Sequence, residues 1–418
     1  MADNQIHTKG FCRRIKTHIL APLHRFAIVA PPELAPICLK ETLGIGISGL
    51  EASDAGVEFS GKLKDAYACN LRLRTAGRVL CRLTPFRAGA AEELFHKASR
   101  IPWELWLNPE AALDIEAHVE RSRISHEGRA REIIYESIEK VFREGKLSCP
   151  ADTPVEAKTN GALGHTAESE PQSDDGRVKQ KVLVRLIDNH CQVSLDTSGA
   201  HLHQRGYRLS HTGAPLRETL AAAILLKSEW KCDEPLVDGM CGSGTFPIEA
   251  ALISRKMVPG LGREFLFQRW PSFQKETWEY LCRKASEASL PQRLETIIGI
   301  DIDPVAIGVS AENANRAGVG GDIELERMDF FEFNPGKAGL KRGLLVLNPP
   351  YGVRLGGGGT GLYERIGAHL RLSFKGWKYA VLANSRAEAA AMGMGRLRMW
   401  KIRHGGIPIT VVFGRVAA

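Results

Sequence analysis

No stretch of the chain approaches the roughly 20 consecutive apolar residues that a membrane-spanning helix needs, so no membrane partner is expected. The nine cysteines, from Cys12 to Cys282, never fall in a C-x-x-C pair. That argues against a zinc ribbon or a disulfide framework, and for a reducing compartment. No histidine stands at metal-ligand spacing, so no metal is expected. The basic residues before Lys16 have no apolar stretch behind them of the kind a secretory signal carries, which makes the cytoplasm the expected location. No internal repeat is evident. The charge is not extreme either: a net +8 favours an anionic partner without specifying one. What is present is the composition of an ordinary globular protein, 44% hydrophobic and 25% charged over 418 residues, enough for two or three domains.

The clearest internal break runs from Cys149 to Gln180. It is polar, rich in Gly and Pro and without aromatics, so it cannot bury enough surface to order itself. A disordered insertion is expected over residues 150–180. Before it, Phe26–Ala30, Val57–Phe59 and Arg78–Leu83 read as strands, and Glu33–Leu43 and Leu63–Arg74 as helices. Pro36 is tolerable in a first helical turn. Ile133, Ile134, Ile138 and Val141 recur at helical spacing over Arg129–Glu144. After it, Val182–Ile187 and Cys191–Asp196 read as a hairpin turning at Asp188-Asn189-His190. From Leu216 onward, helices alternate with apolar strands, the pattern of a parallel, doubly wound sheet.

Two segments in this last region carry chemistry. Leu236-Val237 reads as a strand that enters Asp238-Gly239-Met240-Cys241-Gly242-Ser243-Gly244-Thr245 and then a helix beginning near Pro247. Glycines there let the backbone approach a ligand, and a helix N-terminus favours negative charge. Thr296–Ile300 reads as the next strand and ends at Asp301, where a carboxylate can accept ribose hydroxyls. Asp303 is placed to cap the helix that follows. A third strand, Ile323–Asp329, ends in an acid able to reach an adenine amine. The 63 positions from Asp238 to Asp301 far exceed the about 20 of a nicotinamide-binding unit. Pro259–Pro291 must therefore be an excursion, and a dinucleotide dehydrogenase is disfavoured.

The second segment is Asn348-Pro349-Pro350-Tyr351, which closes the apolar run Gly343–Val346. Two prolines forbid further strand, so the backbone turns at the carboxyl edge of the sheet, where open α/β sheets bind ligands. Asn348 offers a side-chain carbonyl, and the Pro-Pro turn a main-chain carbonyl with no competing N–H. Together they present two acceptors to one –NH2 group, and Tyr351 offers a face to a flat ring.

The order D-x-M-C-G-S-G-T, G-I-D-I-D-P, M-D-F and N-P-P-Y-G resembles the class I S-adenosylmethionine-dependent amino-methyltransferases. More narrowly, it is similar to the THUMP-domain RNA guanine-N2 methyltransferases, above all to the N-terminal half of the bacterial 23S rRNA guanine-N2 methyltransferase. Asp196–Gly199, Arg205–Arg208, Leu216–Ala223, Pro259-Gly260-Leu261 and Trp270 extend the likeness beyond the site. It covers roughly residues 26–412 and fails in the insertion. Gly239 stands where proline is usual, and the chain ends after one catalytic domain where some relatives carry a second, whose activity is expected to be absent.

The resemblance implies an α/β architecture in four parts. These are an N-terminal tail over 1–25, a ferredoxin-like α+β domain over 26–90, a THUMP RNA-binding domain over 91–205, and a seven-stranded Rossmann-like methyltransferase domain over 206–418. It places Asp238, Cys241, Gly242 and Gly244 around the methionine part of S-adenosylmethionine, Asp301 at its ribose, Asp329 at its adenine, and Thr219 in the same pocket. Asn348, Pro349, Pro350 and Tyr351 would hold a guanine flipped from its stack. Arg354 would reach the nucleotide phosphate. Arg121, Arg123, Arg129 and Arg131 would grip RNA phosphates. Arg205 and Arg208 are expected to fix the domains to each other rather than touch RNA.

The same tetrapeptide chemistry serves adenine-N6 methylation of DNA and glutamine methylation of release factors. The region before residue 200 favours structured RNA, with rRNA ahead of tRNA. A non-catalytic RNA-binding ribosome-assembly factor is the alternative of another class, and it would be expected to show damage in the glycine loop or at Asn348–Tyr351.

Overall fold

The computed structural model describes residues 8–53, 55–152, 179–208, 216–293, 295–350, 360–395, 397–404 and 407–417. Two sheets organise the chain. The first is built from β1 (His24–Val29), β2 (Glu51–Ser53), β3 (Gly56–Gly61), β4 (Arg78–Arg82), β5 (Phe86–Arg87), β6 (Ala112–Glu120), β7 (Ala151–Asp152), β8 (Lys179–Ile187) and β9 (His190–Asp196). Their order is β2-β3-β1-β4-β9-β8-β6-β7, with β5 also on β9. The expected strands and the β8–β9 hairpin are all present. Asp188 and Asn189 take positive φ in its two-residue turn, as short-chain polar residues can.

The sheet also revises the expected organisation. Leu80, Cys81 and Arg82 of β4 pair with Asp196, Leu195 and Ser194 of β9, so one sheet runs across the boundary expected at 90/91. Residues expected as a bare tail are partly helical. Helix α1 (Lys9–Ile15) and the π turn Lys16–Leu20 bury Phe11, Ile15 and Ile19, and Arg14 pairs with Glu104. Thr8 caps α1 by accepting from the Phe11 N–H at 3.2 Å. The apolar residues are too sparse to read as a run but recur every four positions, which suffices for a one-sided helix. The central part of the expected insertion, 153–178, lies outside the described residues.

Helices α2 (Ala35–Gly44), α3 (Leu63–Arg72), α4 (Ala91–Ala98) and α5 (Glu127–Glu144) accompany this first sheet. The helices of the second part are α6 (Glu218–Lys227), α7 (Thr245–Ser254), α8 (Lys275–Glu287), α9 (Pro304–Arg316), α10 (Thr360–Ser373) and α11 (Arg386–Ala391). Its strands are β10 (Leu236–Asp238), β11 (Ile297–Asp301), β12 (Glu324–Arg327), β13 (Leu344–Leu347), β14 (Lys378–Ala383), β15 (Arg398–His404) and β16 (Ile407–Arg415).

The seven strands stand in the order β12-β11-β10-β13-β14-β16-β15. The first five are parallel, as the sequence pattern predicts, but β16 runs antiparallel to both β14 and β15. A closing hairpin needs no crossover helix, and the sheet is therefore mixed rather than wholly parallel. Apolar layers cover both of its faces.

The excursion after α7 explains how the two halves are held. Phe265, Phe267, Trp270, Trp278 and Ala285 leave the second sheet and join the core of the first sheet. Phe267 stacks on Tyr67 of α3 with centroids 4.2 Å apart, and Trp270 meets Trp106 edge-on at 5.4 Å. Gly260 donates its N–H to Leu71 O at 3.0 Å. A Cβ at Gly260 would lie 2.7 Å from Asn70 O and 2.8 Å from Leu71 Cα, so only glycine lets these backbones meet.

Arg205 ties the two halves at the joint as expected, whereas the partners of Arg208 among the described residues all lie in the second half. Arg205 donates to Arg74 O of the first half and pairs with buried Glu249 of α7 at 3.4 Å. Tyr207 also donates to Glu249, at 3.3 Å. Arg208 reaches Thr245 Oγ1 at 2.6 Å and Leu216 O at 3.0 Å. Satisfying buried charge this way fixes a geometry more than it adds stability.

Candidate active site

The central strand β10 lies between β11 and β13, with Asp238 level with Gly299 on one side and Val346 on the other. All three strands end at one edge. Past Asp238 the chain must turn from strand to helix in six residues, and its glycines make that turn. Cys241 donates its N–H to Ile300 O at 2.9 Å, and Gly242 donates to Asp301 Oδ2 at 2.8 Å, so the turn is pinned to the end of β11. Gly242 and Gly244 hold φ of +52° and +83°. They differ in surroundings. A Cβ at Gly244 would press on Ser310 and stand 3.3 Å from Ile248 Cδ1, whereas one at Gly242 would meet nothing within 4 Å. Gly244 is packed against α9; Gly242 faces open space.

Three carboxylates stand at or just past the ends of β10, β11 and β12. Asp238 is fully buried and accepts the Met240 N–H at 3.2 Å. Burial pushes its carboxyl well above the usual carboxylate range; the Met240 N–H pulls the other way, and the nearby Asp301 adds to the rise. Asp301 accepts from Gly242 on one oxygen and from Asp303 N–H, at 2.9 Å, on the other. Each carboxylate oxygen retains a second lone pair for a ligand hydroxyl. Asp303 caps α9 through the Val305 N–H, the structural role its position predicts. Asp329 is half-buried and accepts the Phe331 N–H at 3.0 Å, and Met328 N–H is held on Asp301 O at 3.1 Å, bringing the β11 and β12 ends together. Cys241 is buried, and burial first, then Asp238, drive its thiol up, so it is a neutral wall and no nucleophile. Thr219 is buried near the start of α6, which packs on α7.

Asn348 follows the last residue of β13. It is half-buried, and Pro349 beside it is buried. Tyr351 and Arg354 lie outside the described residues.

Three of the four arginines expected to grip RNA are matched by acids. Arg121 pairs with Glu120 and Asp188, Arg129 with Glu132 and Glu136, and Arg131 with Asp152. Arg123 is held through its backbone N–H by Asn189, and its side chain lies against Gly89. Basic residues clustered in sequence gave no sign that Arg131 would meet an acid from β7 and Arg121 one from the β8–β9 turn, whereas the acids of Arg129 lie on its own helix.

Sequence reasoning passed over other features of this edge. Ile302, between Asp301 and Asp303, is 66% exposed, an apolar side chain held in solvent beside the carboxylates. Phe331, just past Asp329, carries the Arg365 guanidinium 4.1 Å above its ring. Asn313 donates to Ser243 O at 3.0 Å and accepts from Arg316, which in turn donates to Tyr207 O. The glycine turn is thereby tied to the joint. Gly239 has a packing reason too: a Cβ there would come within 2.7 Å of Phe330 Cε2 and Leu347 Cδ2.

This edge fits S-adenosylmethionine. Carboxylates suit its two cationic centres and ribose hydroxyls, the α7 N-terminus suits its carboxylate, and the open side of Gly242 leaves room for it. Among the described residues no group of His, Cys, Asp or Glu could hold a metal ion, and no helix is long and apolar enough to cross a membrane.

Comparison with known proteins agrees with the geometry. Residues 205–412 match the RMKL-like methyltransferase domain, and residues 25–80 match the RlmL ferredoxin-like domain. The chain is 34% identical over 398 residues to the ribosomal RNA large subunit methyltransferase K/L of Syntrophotalea carbinolica, covering 93% of this chain and 53% of that one. It spans about half the length of such relatives. A Synechocystis protein, slr0064, named as a candidate RNA methyltransferase, is 30% identical over 393 residues, covering 93% of this chain and 95% of the relative. Among solved structures, the candidate methyltransferase SMU.472 in complex with S-adenosylhomocysteine superposes with a TM-score of 0.80 at 26% identity, over 96% of this chain and all of that one. A Listeria monocytogenes protein described as an N6-adenine-specific DNA methylase reaches 0.78 at 29% identity, over 94% and 95%. The chain belongs to the RMKL-like family of S-adenosylmethionine-dependent methyltransferases.

Proposed function

We propose that this chain methylates the exocyclic N2 of a guanine in 23S rRNA. The observation that carries the reading is register. Asp238 stands level with Val346, so Asn348 lies two residues, about 7 Å, beyond the buried acid at the mouth of the glycine turn. An amine held at Asn348 therefore faces the cofactor's reactive end.

The cofactor supplies an electrophilic methyl group on a sulfonium. The residues of this chain supply position. The Asn348 side-chain carbonyl and the Pro349 main-chain carbonyl accept the two N2 hydrogens and aim the nitrogen along the breaking S–C bond. One N–C bond forms, the sulfur leaves as a neutral thioether, and one N2 proton is released. Alignment of this kind provides most of the catalysis in such a displacement. Unstacking the guanine costs a few kcal/mol, about what stacking on Tyr351 returns. Asp238, Cys241, Gly242, Gly244 and Thr219 surround the methionine part, Asp301 takes the ribose, Asp329 the adenine amine, and Ile302 one face of the adenine ring. The region over 91–205 binds RNA in THUMP fashion, with Arg354 at the target phosphate. The intact glycine turn and Asn-Pro-Pro-Tyr segment support catalysis over a purely binding role.

The test is methyl transfer from labelled cofactor to unmodified 23S rRNA and, separately, to unmodified tRNA and DNA, followed by nucleoside mass spectrometry. N2-methylguanosine in rRNA, lost by at least about a hundredfold in Asn348→Ala, is the expected result. Product in tRNA alone overturns the substrate. N6-methyladenosine, as the Listeria neighbour's description would suggest, overturns the base.

A further inference from the structure

The basic residues that stood out in the sequence are largely committed to acids of this chain. Besides Arg121, Arg129 and Arg131, Lys378 pairs with Glu234 and Arg398 with Glu229. Arg386, Lys401 and Arg403 differ: all three are exposed, and none has a carboxylate within ion-pair distance among the described residues.

Their placement is set by register. Leu347, the last residue of β13, is level with Val381 on β14, and the row beyond it runs through Leu382 and Val411 to Trp400 on β15. Asn348 thus lies on the row of Trp400. Lys401 is one residue further toward the carboxyl edge, and Arg403 three. Trp400 and Ile402 turn into the core beneath, so strand alternation sends Lys401 and Arg403 to the opposite face. Three strand spacings separate β13 from β15, about 14 Å. Arg386 begins α11 three residues past the end of β14, between those two positions along the edge.

Arg386 is also badly placed for stability. It occupies the first turn of a helix, where the dipole favours acids, although Ser385 and Glu388 form a full capping box around it. A cation retained against the dipole, at the edge that carries the site, points to an anionic ligand there.

We propose that Arg386, Lys401 and Arg403 form a phosphate-binding ledge that holds the RNA backbone flanking the flipped nucleotide. The inference rests on the RNA reading above and adds to it a contact surface on the catalytic sheet itself. A flipped base needs its neighbours held, because the strand must not follow the base into the pocket. The distance of about 14 Å is suited to nucleotides adjacent to the target rather than to the target's own phosphate. The competing explanation is that lysine and arginine on the edge strand β15 merely prevent edge-to-edge pairing of sheets.

The experiment compares wild type with Arg386→Gln/Lys401→Gln/Arg403→Gln in binding to an unmodified 23S rRNA transcript across a salt series, with S-adenosylhomocysteine affinity and thermal midpoint measured alongside. The expected result is binding weakened about tenfold or more, and a log–log salt slope flattened by about 2 for three lost phosphate contacts. Cofactor affinity should be unchanged. Arg386→Gln alone should weaken RNA binding while leaving the thermal midpoint equal or higher. An unchanged salt slope overturns the ledge, with or without self-association of the triple variant. A wild-type chain that methylates neither rRNA nor tRNA overturns the RNA reading itself, a failure distinguishable because it appears before any variant is made.

Discussion

Gly242 and Gly244 lie two residues apart in one turn, both left-handed, and alanine should fail at them for different reasons. The left-handed conformation costs alanine about 1–2 kcal/mol at either position. At Gly242 nothing of the protein stands within 4 Å of the new methyl, so folding should lose only that amount. The methyl instead intrudes on the cofactor, and the about 1–3 kcal/mol typical of overpacking becomes a rise in S-adenosylhomocysteine dissociation constant of roughly 5- to 150-fold. At Gly244 the methyl presses on Ser310. Ser310 Oγ can rotate away, but Ser310 Cβ at 3.2 Å and Ile248 Cδ1 at 3.3 Å remain. The strain and overpacking then add within the fold, to about 2–5 kcal/mol. A catalytic domain of this size shifts by about 2–4 °C per kcal/mol. Thermal unfolding paired with calorimetric titration of S-adenosylhomocysteine reads both quantities. Gly242→Ala should lose affinity with a small thermal shift, and Gly244→Ala should lose stability first. If Gly242→Ala binds S-adenosylhomocysteine like wild type, the turn does not face the cofactor and the site has been misplaced.

Three further outcomes follow from the packing and the charges. Phe267→Ala removes a fully buried ring stacked on Tyr67, and should cost about 3–5 kcal/mol and open residues 259–291 to limited proteolysis; resistance equal to wild type would deny the excursion its joining role. Gly239→Ala should displace Phe330 and cost about 1–3 kcal/mol, with Phe330→Leu restoring much of it; no thermal shift in the single variant would refute the contact. Burial raises the Asp238 carboxyl in the folded chain, so above the ordinary carboxylate range near 4 the folded state holds a proton the unfolded state has lost, and this group's contribution to stability falls as pH rises toward the folded value. A cationic ligand favours the ionised form, so cofactor binding should release a proton and tighten with rising pH. Titration in buffers of different ionisation enthalpy would detect that release, and Asp238→Asn should abolish it.

How much of this was legible before folding depended on the range of the interaction. The glycine turn, the strand-end acids and the Asn-Pro-Pro corner are local: a short apolar run, a turn that only glycine can make, and prolines that forbid further strand are written within ten residues of each other. So are the β8–β9 hairpin and the Asp303 cap. The chain order of these motifs was enough to assign the family. What the sequence could not supply were pairings between distant segments. The acids that meet Arg121 and Arg131 come from the β8–β9 turn and β7, brought there by sheet register, whereas those of Arg129 lie on its own helix at short spacing. The helix over residues 9–15 is ordered by a core to which it contributes few residues. Pro259-Gly260-Leu261 and Trp270 were recognisable as a motif, but their reason, a backbone contact with Leu71 and a ring contact with Trp106, exists only once the two halves meet. The sequence by itself determined which chemistry is present, because that chemistry is carried by residue types at short spacing. Tertiary structure alone decided how the halves are joined and which acids meet Arg121 and Arg131, because both depend on partners from other elements, 131 positions away in the case of Arg205 and Arg74.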